Sequence, residues 1–403
     1  MSNRQEEALP RPSVSAKAAL RFIVFLGIVS LFADMTYEGA RSVTGPFLAI
    51  LGASATVVGI VAGFGELVGY GLRLVSGYVA DRTQRYWAIT LVGYAVNLLA
   101  VPLLALAGRW EVAALFIILE RTGKAMRNPP RDAMLSHATL QVGRGWGFGL
   151  HEALDQIGAV LGPLLVAGVL ALRGDYRLAF AVLGISALVA LGVLVAARLT
   201  YPTPRDFEAE AASALPVDRA FPRSFWLYMV AAALLAAGYA DFPLVAYHFQ
   251  VTGLAAPDWI AILYAFAMAV DAVAALIFGR LFDRLGVPTL IPAAIISAFF
   301  APLVFLGNFP LALIGMVCWG IGMGAQESVM RAAVAGFVAP ERRGSAYGVF
   351  NAGYGLFWFL GSSLLGILYD QSIPWLVAFS VIAQLVAVPV LLVVRGEMAA
   401  RSS

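Results

Sequence analysis

The chain carries little charge for its length. Asp, Glu, Lys and Arg together make up 13% of the 403 residues, whereas hydrophobic residues make up 61%. A soluble domain averages about a quarter charged and about half apolar residues. The composition therefore argues against a water-soluble domain and favours a chain that crosses a membrane many times.

Cysteine and histidine are also scarce. Cys318 is the only cysteine, so no intramolecular disulfide can form. The three histidines, His137, His151 and His248, are scattered along the sequence, which argues against a metal site built from clustered Cys and His. We expect no cofactor and no bound metal. The net charge of +3 follows from where the arginines lie and does not indicate a nucleic-acid partner.

Long apolar runs divide the chain into candidate membrane spans, since about 18 or more apolar residues suffice for a transmembrane helix. We count twelve, at residues 18–51, 54–80, 86–108, 111–136, 145–172, 175–199, 222–251, 256–281, 287–307, 309–337, 343–369 and 373–395. The polar, proline-containing start is not a cleavable secretory signal, so residues 1–17 are expected to form a tail. The spans do not alternate between apolar and polar residues, as the strands of an outer-membrane barrel do.

Arginine and lysine predict the orientation, because cytoplasmic loops carry an excess of these residues. One side would hold most of them, whereas the other would hold only Arg109, Arg173 and Arg177. The first side is therefore predicted to be cytoplasmic and to contain both termini. We expect a multi-pass protein of the cell inner membrane.

Two motifs recur half a chain apart. Gly77-x-x-x-Asp81-Arg82 returns 202 positions later as Gly279-x-x-x-Asp283-Arg284, and Arg144-Gly145 returns 199 positions later as Arg343-Gly344. Such repeats indicate duplication. The predicted fold is an all-α membrane protein with twelve transmembrane helices in two pseudo-symmetric six-helix bundles. The bundles would comprise residues 18–199 and 222–395, with a cytoplasmic linker at 200–221 and a cytoplasmic tail at 396–403.

Ionisable residues lie within several spans, where they usually face the bundle interior or a water-filled cavity. Asp34, Glu38 and Arg41 share one stripe of the first span at about 100° per residue. Asp241, in the seventh span, occupies a place in its half similar to that of Asp34. These residues are candidates for proton coupling or for the substrate cavity. Alternatively, they form buried pairs that only fix helix packing.

The second span presents Glu66, Tyr70 and Arg73 on one face. A carboxylate near mid-membrane is a candidate proton carrier. The alternative is a structural Glu66–Arg73 pair.

The fourth span carries unusually many charges. Arg121 lies near the bilayer centre and needs a counter-ion or an anionic ligand. Asn128-Pro129-Pro130 should kink or end the helix. Arg131 would then join Asp81 in a cluster that holds the cytoplasmic side shut. Alternatively, these arginines only fix the orientation of the span in the membrane.

The fifth span combines a polar face with a packing motif. His151 and Asp155 share one face, and Gly158-x-x-x-Gly162-Pro163 predicts a close helix contact followed by a kink.

With the repeat and the stretch Gly77-Tyr-Val-Ala-Asp81-Arg82-Thr-Gln-Arg85, the chain resembles the major facilitator superfamily over essentially its whole length. Gln84 and Tyr86 depart from the usual loop pattern. The resemblance implies that Asp81 latches the outward-open state through an arginine of the fourth span and the helix start near Gly344. This implied contact is physically reasonable, because the N-terminus of a helix favours an anion such as the Asp81 carboxylate.

Two weaker similarities point to drug:proton antiporters. Arg121 is similar to their buried arginine linked to proton transfer, and Gly158-x-x-x-Gly162-Pro163 is similar to their antiporter motif. Val166 and Ala167 stand where that motif usually has two glycines.

We therefore expect a secondary transporter that works by alternating access and exports a small organic compound in exchange for protons, acting as a monomer in the lipid bilayer. A symporter that takes up a nutrient or an organic anion is the alternative. Neither a membrane enzyme nor a non-transporting receptor is expected, and an enzyme would need a cluster of catalytic groups that the sequence does not display. The site residues fall into three predicted groups. They are the proton-coupling residues Asp34, Glu66, Arg121 and Asp155; the cytoplasmic gate Gly77, Asp81, Arg82, Arg85, Arg131, Asp283 and Arg284; and the cavity residues Glu38, Arg41, Asp241 and Tyr354.

Overall fold

A computed structural model describes residues 16–139, 142–202, 221–338 and 342–402. The predicted tail up to residue 15 and most of the predicted linker lie outside these ranges. Fourteen α-helices form the described part: α1 (Ala16–Ile50), α2 (Ala55–Thr83), α3 (Tyr86–Leu103), α4 (Trp110–Thr139), α5 (Arg144–Arg173), α6 (Tyr176–Thr200), α7 (Arg223–Gly238), α8 (Phe242–Thr252), α9 (Pro257–Leu285), α10 (Leu290–Ala298), α11 (Phe300–Phe305), α12 (Phe309–Phe337), α13 (Arg343–Gln371) and α14 (Ile373–Ser402).

The helices confirm the predicted all-α membrane fold, because each predicted span corresponds to one helix or to two consecutive ones. The seventh span is interrupted: α7 ends at Gly238, and Asp241 begins α8 by accepting a hydrogen bond from the backbone N–H of Phe242. The ninth span is divided into α10 and α11. Apolar side chains such as Leu172 and Ile185 remain exposed on the outer surface, where lipid would cover them.

Eleven of the spans in the described ranges are long and apolar enough to cross a membrane. The fourth, α4, is 30 residues long but too highly charged to meet that criterion. Its charged side chains Glu120, Arg121, Arg127 and Arg131 are nevertheless buried. The charge of α4 therefore faces the protein interior.

α4 and α14 extend beyond the spans predicted for them. Pro129 and Pro130 do not end α4, which continues to Thr139, so of the two alternatives only the kink stays a prediction. The predicted tail that starts at residue 396 is helical up to Ser402, as a continuation of α14.

The predicted close contact of the fifth span is confirmed. An added Cβ on Gly158 would overlap the carbonyl oxygen of Leu31, and one on Gly162 would overlap that of Met35. Both glycines thus bring the backbone of α5 directly against α1 in the first half.

The two halves meet along α2 with α13, α5 with α9, and α1 with α8. We call the side of the bundle where α1 begins the terminal side and the opposite side the distal side. Near the distal side, an added Cβ on Gly45 would overlap the carbonyl oxygen of Pro243, and one on Gly59 would overlap that of Ser362. Backbone therefore touches backbone there, and the halves are closed against each other on the distal side.

Candidate functional site

A cavity of about 810 Å³ lies between the two halves. It extends from mid-membrane towards the terminal side, where the exposed residues Asp132, Glu152 and Arg331 line it. Its charged lining comprises eight carboxylates, Asp34, Glu38, Glu66, Asp132, Glu152, Asp155, Asp271 and Glu327, and seven bases, Arg41, Arg73, Arg121, Lys124, Arg127, Arg131 and Arg331. The cavity thus opens to the terminal side.

Arg41 connects the two halves at the distal end of this cavity. Its Nη2 lies 2.5 Å from Oδ1 of Asp241 in the second half and 3.5 Å from Oε1 of Glu66 in the first. Its Nη1 lies 3.9 Å from Oε1 of Glu38. The break between α7 and α8 places Asp241 where a helix-1 arginine can reach it. A second contact between the halves is the hydrogen bond from the Tyr264 hydroxyl to Glu38.

Arg121 has the counter-ion that the sequence requires. Its Nη2 lies 3.3 Å from Oε1 of Glu66, and its Nε lies 3.4 Å from Oε2 of Glu120. Glu66 therefore bridges Arg121 and Arg41. The alternative Glu66–Arg73 pair is not among the ion pairs of the described residues; Arg73 lies over the ring of Tyr70, with 5.2 Å between guanidinium carbon and ring centroid.

Asp34 belongs to an adjoining cluster on α1 and α4. It accepts a hydrogen bond of 2.8 Å from the Tyr37 hydroxyl, and its Oδ1 lies 3.8 Å from Nη2 of Arg127. Lys124 places its Nζ 3.6 Å from the centroid of the Tyr37 ring, a cation–π geometry. The stripe of Asp34, Glu38 and Arg41 predicted on the first span thus faces the cavity as a unit.

The helix-5 groups lie nearer the terminal side. Nε2 of His151 is 3.0 Å from the Ser30 hydroxyl, which also accepts a hydrogen bond of 3.1 Å from Nη1 of Arg131. Asp155 lines the cavity, and its Oδ1 is buried without a hydrogen-bond partner among the described residues.

The predicted gate cluster of Arg131 and Asp81 is not formed in this conformation. Arg131 pairs with Asp132 at 2.7 Å, whereas the exposed Asp81 accepts a hydrogen bond of 3.3 Å from the Tyr86 hydroxyl. The physical reason is that the terminal side is open, so the groups expected to close it are apart.

The other signature residues lie outside the cavity. A Cβ on Gly77 would lie 3.5 Å from Pro129, and Arg82 donates a hydrogen bond of 2.9 Å to the Tyr78 hydroxyl. Arg85, Asp283 and Arg284 are exposed on the terminal side. Tyr354, a predicted cavity residue, does line the cavity and donates to Oε1 of Gln326 at 3.0 Å.

Sequence reasoning left several residues out of the predicted site, among them Tyr264, Asp271, Glu327 and Asp370. Asp271 and Glu327 are acids within apolar spans, so the rule that selected Asp34 could also have selected them. No sequence signal marks Tyr264 or Asp370, because their roles come from contacts with the opposite half.

A central cavity between two helical halves, closed on one side and lined by buried charges, defines a membrane transporter. The sequence profile described as Major Facilitator Superfamily matches residues 24–325 and 242–402. The chain therefore belongs to the Major Facilitator Superfamily, which confirms the resemblance inferred from the sequence motifs.

Several known proteins are similar to this chain. The chain is 44% identical over 390 residues to an uncharacterised protein of Mycobacterium tuberculosis, covering 96% of this chain and 95% of the relative. It is 33% identical over 119 residues to the multidrug resistance protein MdtH of Proteus mirabilis, covering 30% of each. A crystal structure of a mutant of nucleoside transporter NupG superposes with a TM-score of 0.74 at 13% identity, covering 92% of this chain and 99% of that one.

Proposed function

We propose that this chain is a proton-coupled secondary transporter that exports a small organic compound through the inner membrane. The observation that carries the proposal is the pairing of Arg41 with both Glu66 and Asp241. One of these carboxylates lies in the same half as Arg41 and the other in the opposite half. A change of charge on this network therefore alters the contact that holds the halves together.

Asp34 and Glu66 are the first candidates for the coupling carboxylate, and Asp155 is the third. All three line the cavity, so protons can reach them from the terminal side in this conformation. A cavity of about 30 Å³, large enough for one water molecule, lies beside Arg41, Glu120 and Arg121 on the distal side of the network. This small cavity supports a route by which protons exchange with the distal side once the two halves have moved to open that side.

Export is supported by the partial match to a protein named as a multidrug resistance protein. Uptake of an organic anion is the second candidate, because Arg73 and Lys124 face the cavity without an ion pair among the described residues. A substrate carboxylate could bind there.

The test uses the purified full chain in liposomes and records charge movement while compounds are applied under two opposite pH gradients. Proton coupling predicts currents that reverse with the gradient. Asp34→Asn or Glu66→Gln should abolish uphill transport but preserve substrate exchange, because neutralising the coupling group leaves binding and rocking possible. Currents indifferent to the gradient, or wild-type pumping by both variants, would overturn the proposal. If an acidic exterior instead drives accumulation of the compound on the cytoplasmic side, the chain is an uptake symporter.

A further inference from the structure

The second half contributes a different chemistry to the cavity than the first. Its lining includes the carboxylates of Asp271 and Glu327, together with aromatic and methionine side chains. Most of the basic groups of the cavity belong to α1, α2 and α4 in the first half. The cavity wall formed by the second half is therefore acidic and aromatic, apart from the exposed Arg331.

Asp271, on α9, is the most informative of these groups. It is 2% exposed and lines the cavity, yet no hydrogen bond or ion pair reaches it from the described residues, and its Oδ1 is buried without a partner. Glu38, Glu152 and Glu327 line the same cavity. A buried carboxylate without a partner is stabilised either by taking up a proton or by a positive partner.

Glu327 reaches the same region from α12. An added Cβ on Gly324 would overlap the carbonyl oxygen of Asp271, so α12 packs directly on α9 one turn before Glu327. Glu327 is exposed to the cavity and forms no ion pair among the described residues, although Arg331 follows one turn later. Two helices thus bring two carboxylates without ion-pair partners to one part of the wall.

The surroundings of these carboxylates suit an apolar body that carries a positive charge. Tyr354 and Trp358 line the cavity with 5.6 Å between their ring centroids, and Met268 and Met323 complete the same wall. Aromatic faces attract cations, and methionine adapts to irregular apolar shapes. No group of His, Cys, Asp or Glu in the described ranges has the geometry to hold a metal ion.

We propose that Asp271 and Glu327, together with Tyr354 and Trp358, form a binding site for an organic cation. The site specifies the substrate class of the proposed transporter and rests on that function for its physiological meaning. Binding itself requires neither a proton gradient nor transport, so the two proposals can fail separately.

The test measures calorimetric binding of tetraphenylphosphonium and tetraphenylborate to the full chain in detergent. The two probes share their shape but carry opposite charges. The phosphonium should bind saturably, and Asp271→Asn and Glu327→Gln should each weaken it by about tenfold or more, since each removes one charge-assisted contact. Asp271→Glu, which keeps the charge, should retain most of the affinity.

Glu111→Gln is the matched control, because Glu111 is an exposed acid at the start of α4, outside the cavity, and pairs with Arg109. Equal binding of the borate by the wild-type chain would overturn the proposal. Unchanged phosphonium affinity in both Asp271→Asn and Glu327→Gln would also overturn it. Glu327 is exposed, so Glu327→Gln tests the site even if the substitution at the buried Asp271 impairs folding.

Discussion

The carboxylate of Asp370, at the end of α13 in the second half, is hydrogen-bonded to Thr56, at the start of α2 in the first. Its Oδ2 accepts from the Thr56 backbone N–H at 2.8 Å and from the Thr56 hydroxyl at 2.6 Å, while its Oδ1 accepts from the backbone N–H of Ala55 at 3.2 Å. The N-terminus of a helix offers free N–H groups and favours negative charge. One half of the molecule thus caps a helix of the other on the distal side.

The antiparallel pair α2 and α13 keeps the same register over most of its length. A Cβ on Gly63 would lie 2.9 Å from Cβ of Ser362, and the rings of Tyr70 and Tyr354 are 5.4 Å apart. Residue numbers rise along α2 towards the terminal side by about as much as they fall along α13. If this register continued to the helix ends when the terminal side closes, Asp81 would lie opposite Gly344, and each helix would end in an acid aligned with the start of the other.

We predict that Asp370→Asn weakens closure on the distal side. The loss of a charged helix cap costs about 1 kcal/mol, which shifts the balance between the two conformations roughly fivefold towards the one open on the distal side. The measurement is the rate at which a water-soluble maleimide labels Thr44→Cys from the distal side, in a chain with Cys318→Ser.

Asp175→Asn is the control for this experiment, since Asp175 caps α6 within the first half by accepting from the backbone N–H of Arg177 at 2.8 Å. It should leave the labelling rate unchanged. Equal rates for Asp370→Asn and the parent chain would show that the cap does not contribute to closure.

The opposite shift is expected from Asp81→Asn. The substitution should leave the present conformation intact, because Asp81 is exposed and its carboxylate is hydrogen-bonded, among the described residues, only to the nearby Tyr86. It should destabilise the conformation closed on the terminal side, where the register brings Asp81 to the start of α13. We therefore expect slower labelling of Thr44→Cys. Combining Asp81→Asn with Asp370→Asn should return the labelling rate towards that of the parent chain. If the double variant is labelled at the same rate as either single variant, the two acids do not act in opposite directions on the α2–α13 pair.

Gly45→Ala should prevent full closure on the distal side. The added Cβ would overlap the Pro243 carbonyl oxygen, which belongs to backbone of the opposite half and cannot rotate away. We expect fast labelling of Thr44→Cys and loss of transport. Gly71→Ala is the matched helical control, because a Cβ there meets nothing within 4 Å. Normal transport by Gly45→Ala would show that the halves need not approach so closely.

The two partners of the Arg41–Asp241 pair should differ in the cost of their removal. Arg41→Met leaves Asp241, 2% exposed, without its only described ion-pair partner, and should destabilise the protein by about 3 to 5 kcal/mol. Asp241→Asn should cost about 1 to 3 kcal/mol, because Arg41 retains Glu66 and Glu38. Thermal unfolding in detergent measures both. In the double variant Arg41→Met/Asp241→Asn, which removes the orphaned charge, part of the loss should be recovered. Strictly additive losses would contradict this coupling.

The sequence by itself determined the membrane class, the helical spans, the duplication and the family. Apolar length and repeated motifs are local properties of the chain, and a bilayer permits few other solutions for the backbone. The faces of single helices were also predictable, so Asp34, Glu38 and Arg41 were correctly expected to form one stripe. Only the tertiary structure decided their partners. Asp241 reaches Arg41 because α7 breaks before α8, and Glu66 pairs with Arg121 rather than with Arg73 on its own helix. Pairing across helices depends on how two bundles approach and rotate, which helical periodicity does not encode.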